Sequence, residues 1–287
     1  MHPSIVCIKV DLGACNNEFW MLLRGDAHHD NPHSDHDRQR ADLDEAVRRG
    51  ACVLDVGDLF CAMGGKYDPR FVRGGTTRPE HVDAHDYFDS LVRHNAEFLR
   101  PYARHIAIIA SGNHESSVRK RQETDLTARL VERINTLEGT HIENGGYGGE
   151  VHLRFDHNGH YASLWLTYFH GSGGGGLMSF DTLRVRRQAS WNPYADVVVC
   201  GHVHERWALE MTRKVVRCEG YGAYEVALRP QWHIRTGTYK DEYGHGREGW
   251  HVESGRPPKP VGAMWGRFTL SRPAGIGSHV KMEFTPT

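Results

Sequence analysis

The sequence has no apolar run approaching the roughly 18 residues that a bilayer-spanning helix needs. Its start lacks the basic region and apolar stretch of an export signal. Both absences point to a cytoplasmic protein that does not enter a membrane. Net charge is missing as well: 35 Lys and Arg nearly balance 36 Asp and Glu. No overall positive field therefore draws the chain to nucleic acid or anionic lipid, and any basic patch must be local. Cysteine is sparse and scattered. Cys7, Cys15, Cys52, Cys61, Cys200 and Cys218 form no C-x-x-C pair and sit partly inside apolar runs, which argues against a zinc-thiolate site and for reduced thiols. Repeats and low-complexity tracts are absent. The glycine run Ser172–Gly176 has neither the dinucleotide-binding nor the P-loop spacing; glycines there let the backbone pass close to a ligand.

What is present is an alternation of short apolar runs with longer, charged, periodic stretches, the pattern of an α/β fold. With 287 residues, 39% of them hydrophobic, the chain can bury one large core. Phe19–Asp26, Ala51–Asp58, His105–Glu115, Tyr161–Gly171 and Asp196–His204 read as buried strands running into polar turns. Ser34–Gly50 reads as a helix with an N-cap signal and a terminal glycine. Arg78–Ala103 and Glu123–Leu137 read as further amphipathic helices. After Arg235 the pattern changes to Gly, Pro, Trp and Tyr, with strands expected at Ala263–Leu270 and His279–Phe284. The expected organisation is a core over residues 1–235 and an appendage over 236–287 that packs on it.

Each strand-ending turn carries Asp, Asn or His: Asp26 and His28, Asp58, Asn113 and His114, His170, then His202 and His204. One such residue alone is more often structural than functional. Together they matter, because carboxyl ends of parallel strands converge on one crevice. Oxygen and imidazole donors collected there suit a hard or borderline divalent ion. A carboxylate such as Asp58 can bridge two ions, and Asn113 offers a neutral amide oxygen. Two ions about 3.5–4 Å apart can clamp a phosphoryl oxygen and acidify a shared water.

The ordered set D-x-H, G-D, G-N-H-E, H-G, G-H-x-H resembles the calcineurin-like metallophosphoesterase superfamily over Gly25 to His204. The resemblance implies a four-layer α/β/β/α sandwich with a dinuclear metal site at the strand ends. It implies that Asp26, His28 and His204 bind one ion, that Asn113, His170 and His202 bind the other, and that Asp58 bridges them. It also implies that His114 is catalytic, stabilising the phosphoryl group or protonating the leaving oxygen. The D-x-H spacing selects His28, leaving His29 and Asp30 behind the ligands or in solvent. His33 and His36 fall in a polar loop, and His81, His85 and His94 on a helix. In the phosphoprotein-phosphatase branch, an aspartate three residues beyond the bridging one orients the catalytic histidine, and an arginine follows. Here those positions are Cys61 and Ala62. The departure argues against a protein phosphatase and leaves the partner of His114 open, with Glu115 a candidate. The expected nucleophile is a metal-bridging hydroxide, since no serine or cysteine has a base partner.

Arg119, Lys120 and Arg121, read as lying at a helix start where cations oppose the dipole, are candidate substrate contacts. So are Lys66, Tyr67, Arg70 and Arg73 in a glycine-rich loop, with Trp250 and Trp265 as stacking platforms. The resulting expectation is a phosphoester hydrolase with two divalent ions. Mn²⁺ comes first because an O- and N-rich shell suits it, and Fe, Zn, Ni or Co are other occupants. Phosphodiesters, of the nuclease or cyclic-nucleotide type, are preferred over monoesters. The alternatives are a phosphomonoesterase or protein phosphatase, and a non-catalytic phosphate- or nucleic-acid-binding module.

Overall fold

The computed structural model describes residues 5–13, 17–64, 68, 76–82, 84–174, 179, 181–244, 249–271 and 279–287. They form two six-stranded sheets. The first runs in the order β1 (Ile5–Asp11), β6 (Gly148–His157), β7 (His160–Phe169), β8 (Val197–Cys200), β10 (Ala223–Thr236), β9 (Arg206–Gly220). The second runs β12 (His279–Pro286), β11 (Met264–Ser271), β2 (Glu18–Arg24), β3 (Cys52–Asp55), β4 (Ile106–Ile109), β5 (Glu143–Asn144). Strands β2 to β5 are mutually parallel, as are β7, β8 and β10.

The period-two alternation of strand side chains builds the layers. Along β2, Met21 and Leu23 face the other sheet, where they join Leu54, Ile108, Leu153, Leu166, Val197, Val199 and Ile234 in the inter-sheet core. Leu22, between them, faces the helices with Val53 and Ile109. Those helices are α1 (His36–Arg49), α3 (Tyr87–Leu99) and α5 (Leu126–Glu138), preceded or joined by α2 (Pro79–Val82) and α4 (Asn113–Gln122). On the outer face of the first sheet, Val198 and Cys200 are covered by the segment carrying α6 (Val185–Trp191), whose Gln188 reaches Cys200 Sγ at 3.1 Å. The order is therefore α/β/β/α. Helix α1 is capped by Asp35, one residue beyond Ser34, because the Asp35 carboxylate accepts from Arg38 N at 2.9 Å. It ends where Gly50 adopts φ 61°.

Two features were not expected from sequence. The long β9–β10 hairpin follows His204 directly, and its far end exposes Val216, Tyr224 and Leu228. The strands expected after Arg235 are present as β11 and β12; the feature not expected is that β11 is hydrogen-bonded along β2 as part of the second sheet. A last helical turn, α7 (Trp250–Glu253), lies beside the strand ends. No described helix is long and apolar enough to cross a membrane.

Candidate metal centre

The carboxyl ends of β2, β3 and β4 in one sheet meet those of β7, β8 and β10 in the other. The turns that follow hold one another. Asp26 N donates to Gly57 O (2.9 Å), His28 N to Asp58 O (3.0 Å) and His29 N to Leu59 O (2.8 Å), zipping the β2 turn to the β3 turn. Across the sheets, His202 N donates to Asp26 Oδ2 at 2.8 Å. Asp26, His28, Asp58, His202 and His204 all have φ between 44° and 74°. Left-handed backbone at a non-glycine residue costs on the order of 1 kcal/mol or more. Five such residues line one crevice, so the surrounding hydrogen bonds must hold these turns in place.

Two clusters result. Asp26, His28 and His204 form one, with His28 Nε2 3.2 Å from His204 Nε2 and Asp26 Oδ1 3.4 Å from His204 Nε2. Asp58, His170 and His202 form the other, with His170 Nε2 3.2 Å from Asp58 Oδ2. Asn113 Oδ1 lies between the two rings of this second cluster, 3.1 Å from His170 Nε2 and 2.7 Å from His202 Nδ1. The far nitrogens of those rings are committed to carbonyls: His170 Nδ1 donates to Val56 O at 3.0 Å and His202 Nε2 to Gly173 O at 2.9 Å. The near nitrogens can then present lone pairs beside the amide oxygen. Lone pairs facing lone pairs require a cation between them. In the first cluster, Asp26 Oδ1 is buried and accepts no hydrogen bond among the described residues. Oxygen and imidazole donors with an orphaned carboxylate oxygen fit a divalent metal.

The protonation states support this fit. Burial disfavours a charged His170, but the Asp58 carboxylate outweighs it and pushes the ring up to about 10. Burial also opposes ionisation of Asp58, yet the rings of His170, His114 and His28 hold its carboxyl well below the usual range. Burial, then the nearby His114, pushes His28 well below the usual imidazole range.

His114 follows Asn113 in the first turn of α4. Its N–H donates to Asp58 Oδ1 (2.9 Å), its Nε2 lies 3.9 Å from Asp58 Oδ2, and its ring stands 4.9 Å from that of His28. The ring partner is not Glu115. His114 Nδ1 donates to the backbone oxygen of Cys61 at 2.6 Å, a bond that side-chain identity at position 61 does not reveal. Glu115 instead accepts from three backbone N–H groups: Gly112 (2.7 Å), Phe60 (2.9 Å) and Asp58 (3.2 Å). Asp30 carries on along the same loop, accepting from Cys61 N (2.6 Å) and Ala62 N (2.8 Å). Two buried carboxylates thereby hold residues 58–62. Burial pushes Asp30 up to about 6, against the pull of those two N–H donors.

His29, beside Asp30, is buried and stacks on His36 at 3.8 Å. His36 is not a solvated loop residue; it starts α1 and its Nε2 bonds His29 O at 2.7 Å. His33 lines the crevice. His81 is buried against Ser90 and His94. Arg119, Lys120 and Arg121 lie in the last turn of α4, not the first. Cations there favour the dipole, so the electrostatic argument for a functional role reverses. Arg119 is 3.6 Å from Asp125 and Arg121 4.0 Å from Asp68. Trp265 is buried on Trp20 and Arg49, which removes it as a stacking platform. Lys66, Tyr67, Arg70, Arg73, Gly175, Gly176 and the side chain of Trp250 lie outside the described residues.

The crevice has a volume of about 670 Å³. One wall comes from the segment after β10, which sequence reasoning missed: Lys240, Glu242, His251 and Arg256. Glu242 ties this wall together, pairing with Lys240 and accepting from His251 Nδ1 at 2.7 Å. The His251 ring stands 5.4 Å from that of His204. No ordered motif announces these residues; the only signal is charge directly after a strand. A second cavity of about 560 Å³, lined by Arg184, Arg187 and Trp191, shares Gly173 and Val203 with the first.

No protein-family model matches the sequence, and no curated protein does. Among solved structures, Vps29 complexed with Zn²⁺ from Entamoeba histolytica aligns over 93% of this chain and 99% of its own, at 12% identity and a TM-score of 0.38. A predicted phosphoesterase of Streptococcus pneumoniae TIGR4 aligns over 93% and 98%, at 12% identity and a TM-score of 0.31. GAP50 of Plasmodium aligns over 92% and 84%, at 10% identity and a TM-score of 0.37. At such scores these likenesses bear on neither activity nor ligand. The chain's own α/β/β/α layers carry the ordered D-x-H to G-H-x-H turns at their strand ends.

Proposed function

We propose that the chain is a metal-dependent phosphoesterase that hydrolyses phosphodiesters. The observation that carries this reading is the meeting of two three-residue ligand clusters, Asn113 and the His114 ring in one open crevice. In it, Asp26, His28 and His204 would hold one divalent ion and Asn113, His170 and His202 a second, with Asp58 serving both, and Mn²⁺ is the first choice of metal. Bound there, the ions supply Lewis-acid polarisation of a phosphoryl oxygen and acidify water. The protein's own residues do the rest. His114, its Nδ1 committed to Cys61 O, presents Nε2 to the crevice, where it donates a proton to the leaving oxygen. Arg256 and the Lys240–Glu242 pair form the wall that faces the substrate. A crevice of about 670 Å³ with a second cavity on its rim accepts a phosphate carrying two substituents, which favours diesters over monoesters. Nucleic acid is one such diester. A reducing compartment such as the cytoplasm suits Cys7, Cys52, Cys61, Cys200 and Cys218, which form no disulfide among the described residues.

The test is hydrolysis by metal-stripped protein reloaded with Mn²⁺, using a chromogenic phosphodiester and the matching monoester. Asp58→Asn serves as the contamination control. Faster diester cleavage, by the wild type alone, is expected. Cleavage of the monoester only would replace the diesterase reading with a phosphatase, and undiminished turnover by Asp58→Asn would remove the bridging role.

A further inference from the structure

Resting on the hydrolase reading, we infer that Asp30 is the positioning residue for His114 and acts through the peptide group joining Cys61 to Ala62. Asp30 Oδ2 accepts from Ala62 N at 2.8 Å, and the carbonyl at the other end of that same peptide, Cys61 O, accepts from His114 Nδ1 at 2.6 Å. Asp30 Oδ1 holds the preceding N–H, that of Cys61, at 2.6 Å. The carbonyl that meets His114 is thus fixed on both sides by one carboxylate.

Two consequences follow from elementary chemistry. A carbonyl can only accept, so His114 Nδ1 must carry the proton, and Nε2 is the nitrogen that faces the crevice. A carboxylate bonded to the N–H of an amide polarises it and makes its oxygen a stronger acceptor, because hydrogen bonds in series reinforce one another. The relay does at one remove what a carboxylate at position 61 would do directly. Asp30 is 0% exposed, and Ala62 holds φ at 50°, a conformation that costs energy and turns its N–H to the carboxylate. Asn31 secures the same loop from the next position, its Nδ2 reaching Cys61 Sγ at 3.3 Å.

The test is a double-mutant cycle with an independent spectroscopic readout. Asp30→Asn keeps size but turns one acceptor into a donor facing an N–H. With a phosphodiester bearing a poor leaving group, kcat should fall roughly tenfold to a hundredfold, part of what a general acid contributes, with KM and metal content unchanged. In the His114→Ala background the same substitution should cost less than about twofold, since coupled residues are not additive. Equal losses in both backgrounds, or loss of metal, would overturn the relay. In parallel, the Nδ1 proton of His114 is followed by NMR in ¹⁵N-histidine-labelled, zinc-loaded protein and assigned by its loss in His114→Ala. It should resonate far downfield in the wild type and move upfield in Asp30→Asn. An unprotonated Nδ1 in the wild type, or a signal indifferent to Asp30, overturns the inference. Should Asp30→Asn not fold, Asp30→Ser, which keeps one acceptor, takes its place. A wild type without turnover would defeat the hydrolase reading, while the NMR result would still decide the relay.

Discussion

Gly112, between β4 and α4, is the position where the smallest chemical change should do the most damage to the site. Its φ of −103° suits any residue, so backbone conformation does not demand glycine there. Space does. A Cβ at Gly112 would lie 2.1 Å from Asp58 Oδ1 and 2.6 Å from Asp58 Cγ and N, over about 1 Å inside ordinary contact. Asp58 has nowhere to retreat: Oδ1 accepts from His114 N, Oδ2 faces His170, and the backbone N–H is held by Glu115. Gly112→Ala must therefore shift the carboxylate or part β3 from β4. Overpacking of this kind costs about 1–3 kcal/mol, read as a lower melting temperature. Displacing a reacting-centre group by about 1 Å costs on the order of 10²-fold in rate. Metal content by elemental analysis, melting temperature and turnover of a chromogenic phosphodiester together separate the two effects. An alanine variant with full metal content and a rate within about threefold of wild type would falsify the placement of Asp58 at the centre of the chemistry.

Two further outcomes are expected. Glu115→Gln leaves at least one of three buried N–H groups without an acceptor, at a cost of about 1–3 kcal/mol, and loosens the Asp58 turn. Titration of the variant with Mn²⁺ should show weaker uptake, and unaltered affinity and melting would mean that water replaces the carboxylate. Burial, helped by neighbouring cations, pushes His81 and His233 down to about 4, whereas unfolded rings titrate near 6.5. The unfolded chain then binds more protons in that window, so their contribution is intact above about pH 6.5 and lost as pH falls toward 4. Asp30 and Asp55, both pushed up to about 6 by burial, slope the opposite way, their contribution growing as pH falls below 6. Melting temperatures of chelated wild type and His233→Gln from pH 8 to 4 isolate the histidine, and the variant should lose less on acidification; parallel curves would refute the assignment.

The candidate donors are legible because each stands at the end of an apolar run. A buried strand must finish in a turn, and a turn that spends Asp, His and Asn at spacings of one or two residues announces itself. Asp30 was legible only as a bystander, since an acid two residues past His28 gives no sign of which N–H groups it will meet. The bond from His114 to Cys61 O was invisible in principle, because backbone carbonyls carry no residue code. Arg119 to Arg121 were misplaced by one helix length. Helix α4 starts at Asn113 itself, and glycine at its N-cap with Glu115 reaching back is a weaker start signal than Asp35 gives α1.

The wall formed by Lys240, Glu242, His251 and Arg256 follows the same logic: nothing local distinguishes it from a solvated loop, and only the return of β10 to the strand ends sets it beside His204. Sequence by itself determined the strand ends, the donor types and their order, because those are properties of short segments and their polarity. Tertiary structure decided that two parallel strand sets in different sheets, β2 to β4 and β7, β8 and β10, end at one place. It also decided which N–H groups the buried carboxylates satisfy, because burial leaves each charge no partner except those that the packing of distant segments brings within about 3 Å.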